Sequence, residues 1–255
     1  MREKLLGMAG AVRQAVSALS LEERAKSVGM GADGTPTSYI DKVAEDAILR
    51  YLDDKDVRLN VLSEEAGIID RGFGDVLVAD PIDGTHNACA GIPFYSVSLA
   101  VGKDSLSGMR EGLVMNLVTG DAFHASKGKG ATLNGASIRV KEPGAEKLLM
   151  AYLGGAADPL VHTVASRFKR VRCLGSTALE LCSVASGQAD AFLVRYPDIS
   201  KSPRIIDIAA AVLVLREAGG QAWDENNEIL DMPLSLDERR NMCAAGSEEA
   251  RRLLT

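Results

Sequence analysis

Asp75-Val76-Leu77-Val78-Ala79-Asp80-Pro81-Ile82-Asp83-Gly84-Thr85 is the stretch on which the reading of this chain turns. Its apolar run predicts a buried strand that carries Asp80 to its end. Pro81 fixes one backbone torsion and has no N–H to give, so the strand is expected to stop there. Asp83 follows at a turn, and Gly84-Thr85 can open a short helix. Two carboxylates and the Ile82 carbonyl then aim at one point, with the backbone N–H groups of Gly84, Thr85 and His86 open to an oxyanion. Acids this close repel one another unless they share a cation. An oxygen-only ligand set, without clustered His or Cys, suits a hard ion such as Mg²⁺ better than zinc. A plainer reading also fits: Asp80 ends a strand and Asp83 caps a helix.

Further acids lie outside that stretch. Glu64-Glu65 follow the apolar pair Val61-Leu62, where another strand would end, although Ser63–Gly67 also reads as an exposed turn. Asp207 stands at the start of a strongly apolar helix, where a helix N-cap is the ordinary role of an Asp. Capping and metal binding do not exclude each other.

On the N-terminal side, Leu5, Ala9, Val12, Val16 and Leu19 recur at helical spacing. Gly29, Gly31 and Gly34 with Pro36 predict a flexible loop. Ser38 and Asp41 resemble a capping box opening a second helix. Strands are expected at Asp75–Ala79, Tyr95–Val101, Gly112–Val118 and Asp121–Ser126, with Asn134-Gly135 as a hairpin turn. From about residue 145 the pattern alternates: strands at Leu148–Leu153 and Asp190–Val194, and a helix at Thr177–Ser186 with Thr177 and Glu180 in capping-box register. A helix at Ile205–Ala218 closes on Gly219-Gly220, and a strand at Asn241–Ala245 precedes a short terminal helix. The expected fold combines α+β and α/β layers. Residues 1–144 form a helix pair with a largely antiparallel sheet, and residues 145–255 form an α/β half.

Composition narrows the function. The 255 residues are 46% hydrophobic and carry a net charge of −6, enough for one large core and short of the basic stripe of a nucleic-acid binder. Cys89, Cys173, Cys182 and Cys243 show no C-x-x-C spacing and read as buried thiols of a reducing compartment. No apolar run approaches the roughly 20 residues of a membrane span, and the first residues lack a signal-peptide core. A cytoplasmic protein without membrane or nucleic-acid partners is expected.

Glu64-Glu65, Asp80-Pro81-Ile82-Asp83-Gly84-Thr85 and Asp207-Ile208-Ala209-Ala210 resemble, in order and spacing, the three signatures of the inositol monophosphatase family. Its superfamily includes the fructose-bisphosphatases, and the chain looks most similar to the archaeal branch that acts on both substrates. The resemblance implies an αβαβα sandwich and a homodimer. It implies two or three Mg²⁺ ions (Mn²⁺ as a substitute) on Glu64, Asp80, the Ile82 carbonyl, Asp83 and Asp207. Asp41 and Thr85 would orient the attacking water, with Glu65 in support. Asp33 would belong to a mobile loop holding the weakest ion. Gly84, Thr85, His86, Arg172, Ser176, Thr177 and Arg195 would contact a small phosphorylated polyol or sugar. Two departures, Ile206 for Trp and Ala211 for Gly, remove no ligand. Many inositol-specific members carry a Glu where Val194-Arg195 stand, and an arginine there suits a second phosphate. Lys201 and Arg204 are weaker candidates, read as part of a solvated loop.

The implied chemistry is in-line attack by metal-activated water, without a phosphoenzyme. An aspartyl-phosphate mechanism uses D-x-D-G-T, and the extra residue in D-P-I-D-G-T puts its two acids out of step. A 3′(2′),5′-bisphosphate nucleotidase of the same superfamily and a non-catalytic phosphate-binding homologue are the alternatives.

Overall fold

The strand that carries Asp80 runs from Val76 to Asp83, through Pro81 rather than up to it. Between Asp80, opposite Ser98, and Asp83, opposite Ser96, the pairing register shifts: three steps on one strand face two on the other. One extra residue is a β-bulge, and a bulge tolerates a proline because its N–H is not needed there. The bulge also re-aims the chain. Strict alternation would turn Asp83 to the face opposite Asp80; instead Ile82 joins the core on the far side, together with Leu77 and Ala79.

The computed structural model describes residues 1–30, 36–141, 144 and 146–255. The chain opens with α1 (Arg2–Ser17), α2 (Leu21–Arg24), the antiparallel pair β1 (Ser27–Met30) and β2 (Pro36–Ser38), and α3 (Tyr39–Asp54). Next come β3 (Asn60–Ser63), β4 (Gly67–Ile69), β5 (Val76–Asp83) and α4 (Thr85–Ala90). Five strands follow: β6 (Ser96–Gly102), β7 (Met109–Asn116), β8 (Ala122–Ser126), β9 (Ala131–Leu133) and β10 (Ala136–Ile138). The remainder is β11 (Leu148–Ala151), α5 (Pro159–Ala165), β12 (Arg170–Arg172), α6 (Thr177–Ala185), β13 (Ala191–Val194), α7 (Ile205–Glu217), β14 (Gln221–Asp224), β15 (Met242–Ala245) and α8 (Glu248–Leu254).

Two sheets organise these elements. The first has the order β10-β9-β8-β7-β6-β5-β3-β4 and is antiparallel except at β3/β5. The second has the order β12-β11-β13-β15-β14. Helices α1 and α3 cover the outer face of the first sheet, sharing a core of Leu5, Val12, Ile48 and Leu99. Helices α6 and α7 fill the space between the sheets, with Val78, Val114, Phe192 and Met242 against them. Helices α5 and α8 close the outer face of the second sheet over Val161, Leu193 and Leu254. The result is the αβαβα sandwich. α7 shows why it lies in the middle: ten of its thirteen residues are buried, as befits a helix with sheets on both sides.

Several local expectations shift. Gly29 lies in β1 rather than a loop, and the expected loop position Asp33 falls outside the described residues. Ser38 does cap α3, but its hydroxyl donates to the Asp41 carboxylate instead of accepting from the helix. The N-cap of α6 is Ser176, not Thr177, and Glu180 accepts from Leu174 N–H at 2.8 Å. Asp207 is the third residue of α7, behind the N-cap Arg204. Besides β1, the short elements α2, β2, β4, α5, β12 and β14 escaped the periodicity reading. Two of these carried local signals, the Ser20/Glu23 capping box and Asp158-Pro159 at the start of α5.

Candidate active site

Parallel pairing of β3 with β5 sets Ser63 beside Ala79, so the residues that follow, Glu64 and Asp80, leave the sheet side by side. The first turn of α7, packed across β5, β6 and β7, brings Asp207 to the same end. The first turn of α3 contributes Asp41. Acids from four distant stretches therefore meet at the carboxyl end of the one parallel strand pair in the first sheet.

Asp80 is 3% exposed, and its Oδ1 accepts the Ile82 N–H at 3.0 Å. Burial, then the negative charges of Glu64, Asp83 and Asp207, push its pKa well above the usual carboxylate range. Asp83 is equally enclosed. Its Oδ2 accepts from the Ser96 hydroxyl (3.1 Å), the Ser176 hydroxyl and the Ala178 N–H (2.9 Å), while Oδ1 accepts the Thr177 N–H at 3.0 Å. Asp83 thus does cap a helix, but the helix is α6, nearly a hundred positions away. Burial raises its pKa to about 6 against the opposing pull of the Ser176 hydroxyl and Ala178 N–H.

Arg204, 5% exposed, is the positive charge among these acids. Its guanidinium is ion-paired with Glu64 and lies 3.5 Å from Asp207 Oδ1, while its backbone N–H donates to Asp207 Oδ2 at 2.6 Å. Burial alone would lower the Arg204 pKa, but Asp207 and Glu64 outweigh it and raise the value above that of a free arginine. The sequence reading placed Arg204 on a solvated loop. Its inward direction is set by its place as the N-cap of α7, which the residue pattern alone did not mark.

Asp41 is buried, and desolvation raises its pKa despite the Ser38 and Thr85 hydroxyls. The Thr85 hydroxyl is 2.9 Å from both Asp41 Oδ1 and the Ile82 carbonyl, with one proton to give. Glu65 accepts from the Thr37 hydroxyl, on the β2 side of the cleft. Gly84 needs its φ of +92°, and a Cβ there would meet the Gly175 carbonyl at 3.0 Å, so the start of α4 is wedged against the turn before α6. His86, one residue into α4 beyond Thr85, is exposed.

The remaining candidate contacts are placed elsewhere. Ser176 and Thr177 are buried and committed to Asp83, with Thr177 also 3.0 Å from the Tyr152 hydroxyl. Arg172 is exposed on edge strand β12, its guanidinium on the neighbouring Val171 carbonyl at 2.8 Å. Arg195 follows Val194, and alternation sends it to the α5/α8 face of the second sheet. There its Nε donates to Asp158 at 2.8 Å beside a cavity of about 180 Å³ lined by Leu160, Val164 and Leu254. The parity of β13 thus points Arg195 away from Asp80. Lys201 lies on an exposed single turn, as expected of a loop residue.

The donor set suits a hard divalent cation. Four carboxylates (Glu64, Asp80, Asp83, Asp207) face one guanidinium, so the enclosed charge is strongly negative. Ser98, opposite Asp80 on β6, has a buried hydroxyl without a hydrogen-bond partner among the described residues. As they stand, the described His, Cys, Asp and Glu side chains form no group of three gathered tightly enough to hold an ion. Arg204 is ion-paired with both Glu64 and Asp207 in this arrangement. Glu180, expected only as the partner of Thr177 in a capping box, is fully buried under the turn before α6, and desolvation raises its pKa to about 7. Among the described residues no helix is long and apolar enough to cross a membrane.

Comparison with known proteins agrees with this architecture. A relative from Archaeoglobus fulgidus, named fructose-1,6-bisphosphatase/inositol-1-monophosphatase, is 43% identical over 97% of this chain and 94% of its own length. One from Methanococcus maripaludis, named bifunctional NADP phosphatase/NAD kinase, is 33% identical over 94% of this chain and 46% of its own. A solved protein of Pyrococcus horikoshii, described as similar to inositol-1 monophosphatase, superposes with a TM-score of 0.85 at 30% identity, covering 99% of this chain and 96% of that one. The sequence profile of the inositol monophosphatase family matches residues 2–255, and the chain belongs to that family of metal-dependent phosphatases.

Proposed function

We propose that this phosphatase releases phosphate from a small phosphorylated polyol or sugar, inositol 1-phosphate and/or fructose 1,6-bisphosphate, with Mg²⁺ as its ion. The observation that carries the reading is the meeting of Glu64, Asp80, Asp83 and Asp207 at the ends of β3, β5 and the start of α7. The name of the Archaeoglobus fulgidus relative supports the substrate class.

In this reading Glu64, Asp80, the Ile82 carbonyl, Asp83 and Asp207 hold two or three ions, Mn²⁺ serving in place of Mg²⁺. Asp83 has capacity for this, since its Oδ1 accepts one hydrogen bond where a carboxylate oxygen has two lone pairs. A divalent cation held there acidifies water and neutralises phosphoryl oxygens. Asp41 fixes the Thr85 hydroxyl, and Thr85 orients the attacking water while the buried Asp41 carboxylate takes up its proton. Glu65 positions the residues around Glu64. The first N–H groups of α4, from Gly84 to His86, receive the phosphoryl oxygens. The family's homodimeric assembly is part of the same reading.

Arg195 turns toward Asp158, so the preference for a bisphosphate no longer rests on it. The test is a phosphate-release panel with Mg²⁺ on fructose 1,6-bisphosphate, inositol 1-phosphate, 3′-phosphoadenosine 5′-phosphate and NADP. Turnover of the first two with slow release from the nucleotides is expected. Preferential turnover of a nucleotide would overturn the substrate assignment.

A further inference from the structure

Arg204 is placed where an ion-binding site has no obvious use for a cation. Its guanidinium joins Glu64, at the end of β3, to Asp207, in the first turn of α7, two elements otherwise far apart in sequence. The backbone N–H of the same residue fixes the second Asp207 oxygen at 2.6 Å. Arg204 is also the N-cap of α7, so its stem starts from a point set by the helix.

We propose that Arg204 is an internal counter-cation, which holds Glu64 and Asp207 in place when no ion is bound and must release Glu64 as the ion loads. The proposal rests on the ligand set of the preceding section. Two features argue for it. Among the described residues no three carboxylates are gathered as an ion-binding group in this arrangement, and the guanidinium takes the contact that a ligand oxygen of Glu64 would give. A divalent cation on Glu64 and Asp207 would also sit within a few ångströms of the guanidinium, in a buried setting that screens like charges poorly. The arginine and the ion therefore compete for the same oxygens. Ion-free protein keeps its acids paired, and ion affinity is weaker than the carboxylates alone would give.

Isothermal titration of Mg²⁺ into the full, chelator-stripped chain tests this. Arg204→Gln is expected to bind Mg²⁺ on the order of tenfold more tightly than the unmodified chain. Its ion-free Tm should fall by roughly 5–10 °C, because buried acids lose their partner. Arg204→Lys, which keeps the charge, should stay near the unmodified chain in both. The Arg204 Nε–Hε resonance of the unmodified, ¹⁵N-labelled protein should move on saturation with Mg²⁺, a readout that stands even where Arg204→Gln does not fold. Unchanged or weaker Mg²⁺ affinity in Arg204→Gln, or a stationary resonance at saturation, would overturn the proposal. Glu64→Gln separates the two levels: if Mg²⁺ binds it as tightly as the unmodified chain, Glu64 is no ligand and the ligand set itself falls, taking the proposal with it.

Discussion

Asp41 and Thr85 show how a single hydrogen bond can be assigned a catalytic role. The Thr85 hydroxyl is held at 2.9 Å from the buried Asp41 carboxylate and at 2.9 Å from the Ile82 carbonyl. Thr85→Val keeps the shape and removes the proton. Its kcat is expected to fall by about 10²–10⁴, with KM little changed and the Tm within a few degrees of the parent. A kcat within twofold would remove Thr85 from the mechanism. At this scale the sequence was informative where a residue's neighbours along the chain set its environment, as for Asp80 and Asp83. It was not informative for Arg195 and Arg204. Their directions depend on the parity of β13 and the entry angle of α7, which a pattern of residue types does not contain.

At the scale of elements, the bulge in β5 and the start of α6 work as one unit. The bulge turns Asp83 inward, and Asp83 then supplies the carboxylate that α6 lacks from its own N-cap, since the Ser176 hydroxyl is itself drawn to Asp83. Beneath that turn Glu180 accepts the Leu174 N–H. Burial, opposed by that N–H, raises the Glu180 pKa from 4.5 to about 7. The folded state therefore holds a proton that the unfolded chain has already lost between pH 4.5 and 7. Through this group stability falls as pH rises across that window. Glu180→Gln removes the titration while keeping an acceptor for Leu174. In urea melts with a chelator present, its decline in stability from pH 4.5 to 7 should be shallower by on the order of 2 kcal/mol. Parallel slopes for the two proteins would show that Glu180 does not titrate in that range. The order of strands and helices was largely legible, because hydrophobic period and turn residues agree over long segments such as α1, β6 and α7. Pro81 misled because its effect on a strand depends on whether a bulge is available, and only the partner strand decides that.

For the molecule as a whole, the sandwich gathers the proposed ion ligands Glu64, Asp80, Asp83 and Asp207, from the ends of β3 and β5 and the start of α7, between the central helices and the first sheet. On the proposed reading, an ion bound there would tie those layers together and stabilise only the folded state. At an ion concentration about a hundredfold above Kd, the gain is about 2.7 kcal/mol, or roughly 5–10 °C in Tm for a chain of this length. Chelation should reverse it, and a Tm indifferent to Mg²⁺ would show that no ion bridges the layers. Layering was foreseeable from the chain, since α7 is apolar on all sides and has to lie between two sheets. Convergence of the acids was foreseeable only through the resemblance, because no local rule relates Glu64 to Asp207 across 143 positions.

Anomalous diffraction from crystals soaked in Mn²⁺ addresses that convergence directly. The account predicts peaks beside Asp80, within coordination distance of Glu64 and Asp207, with the Arg204 guanidinium withdrawn from Glu64. Density only at remote surface sites, with Arg204 still paired to Glu64, would contradict it.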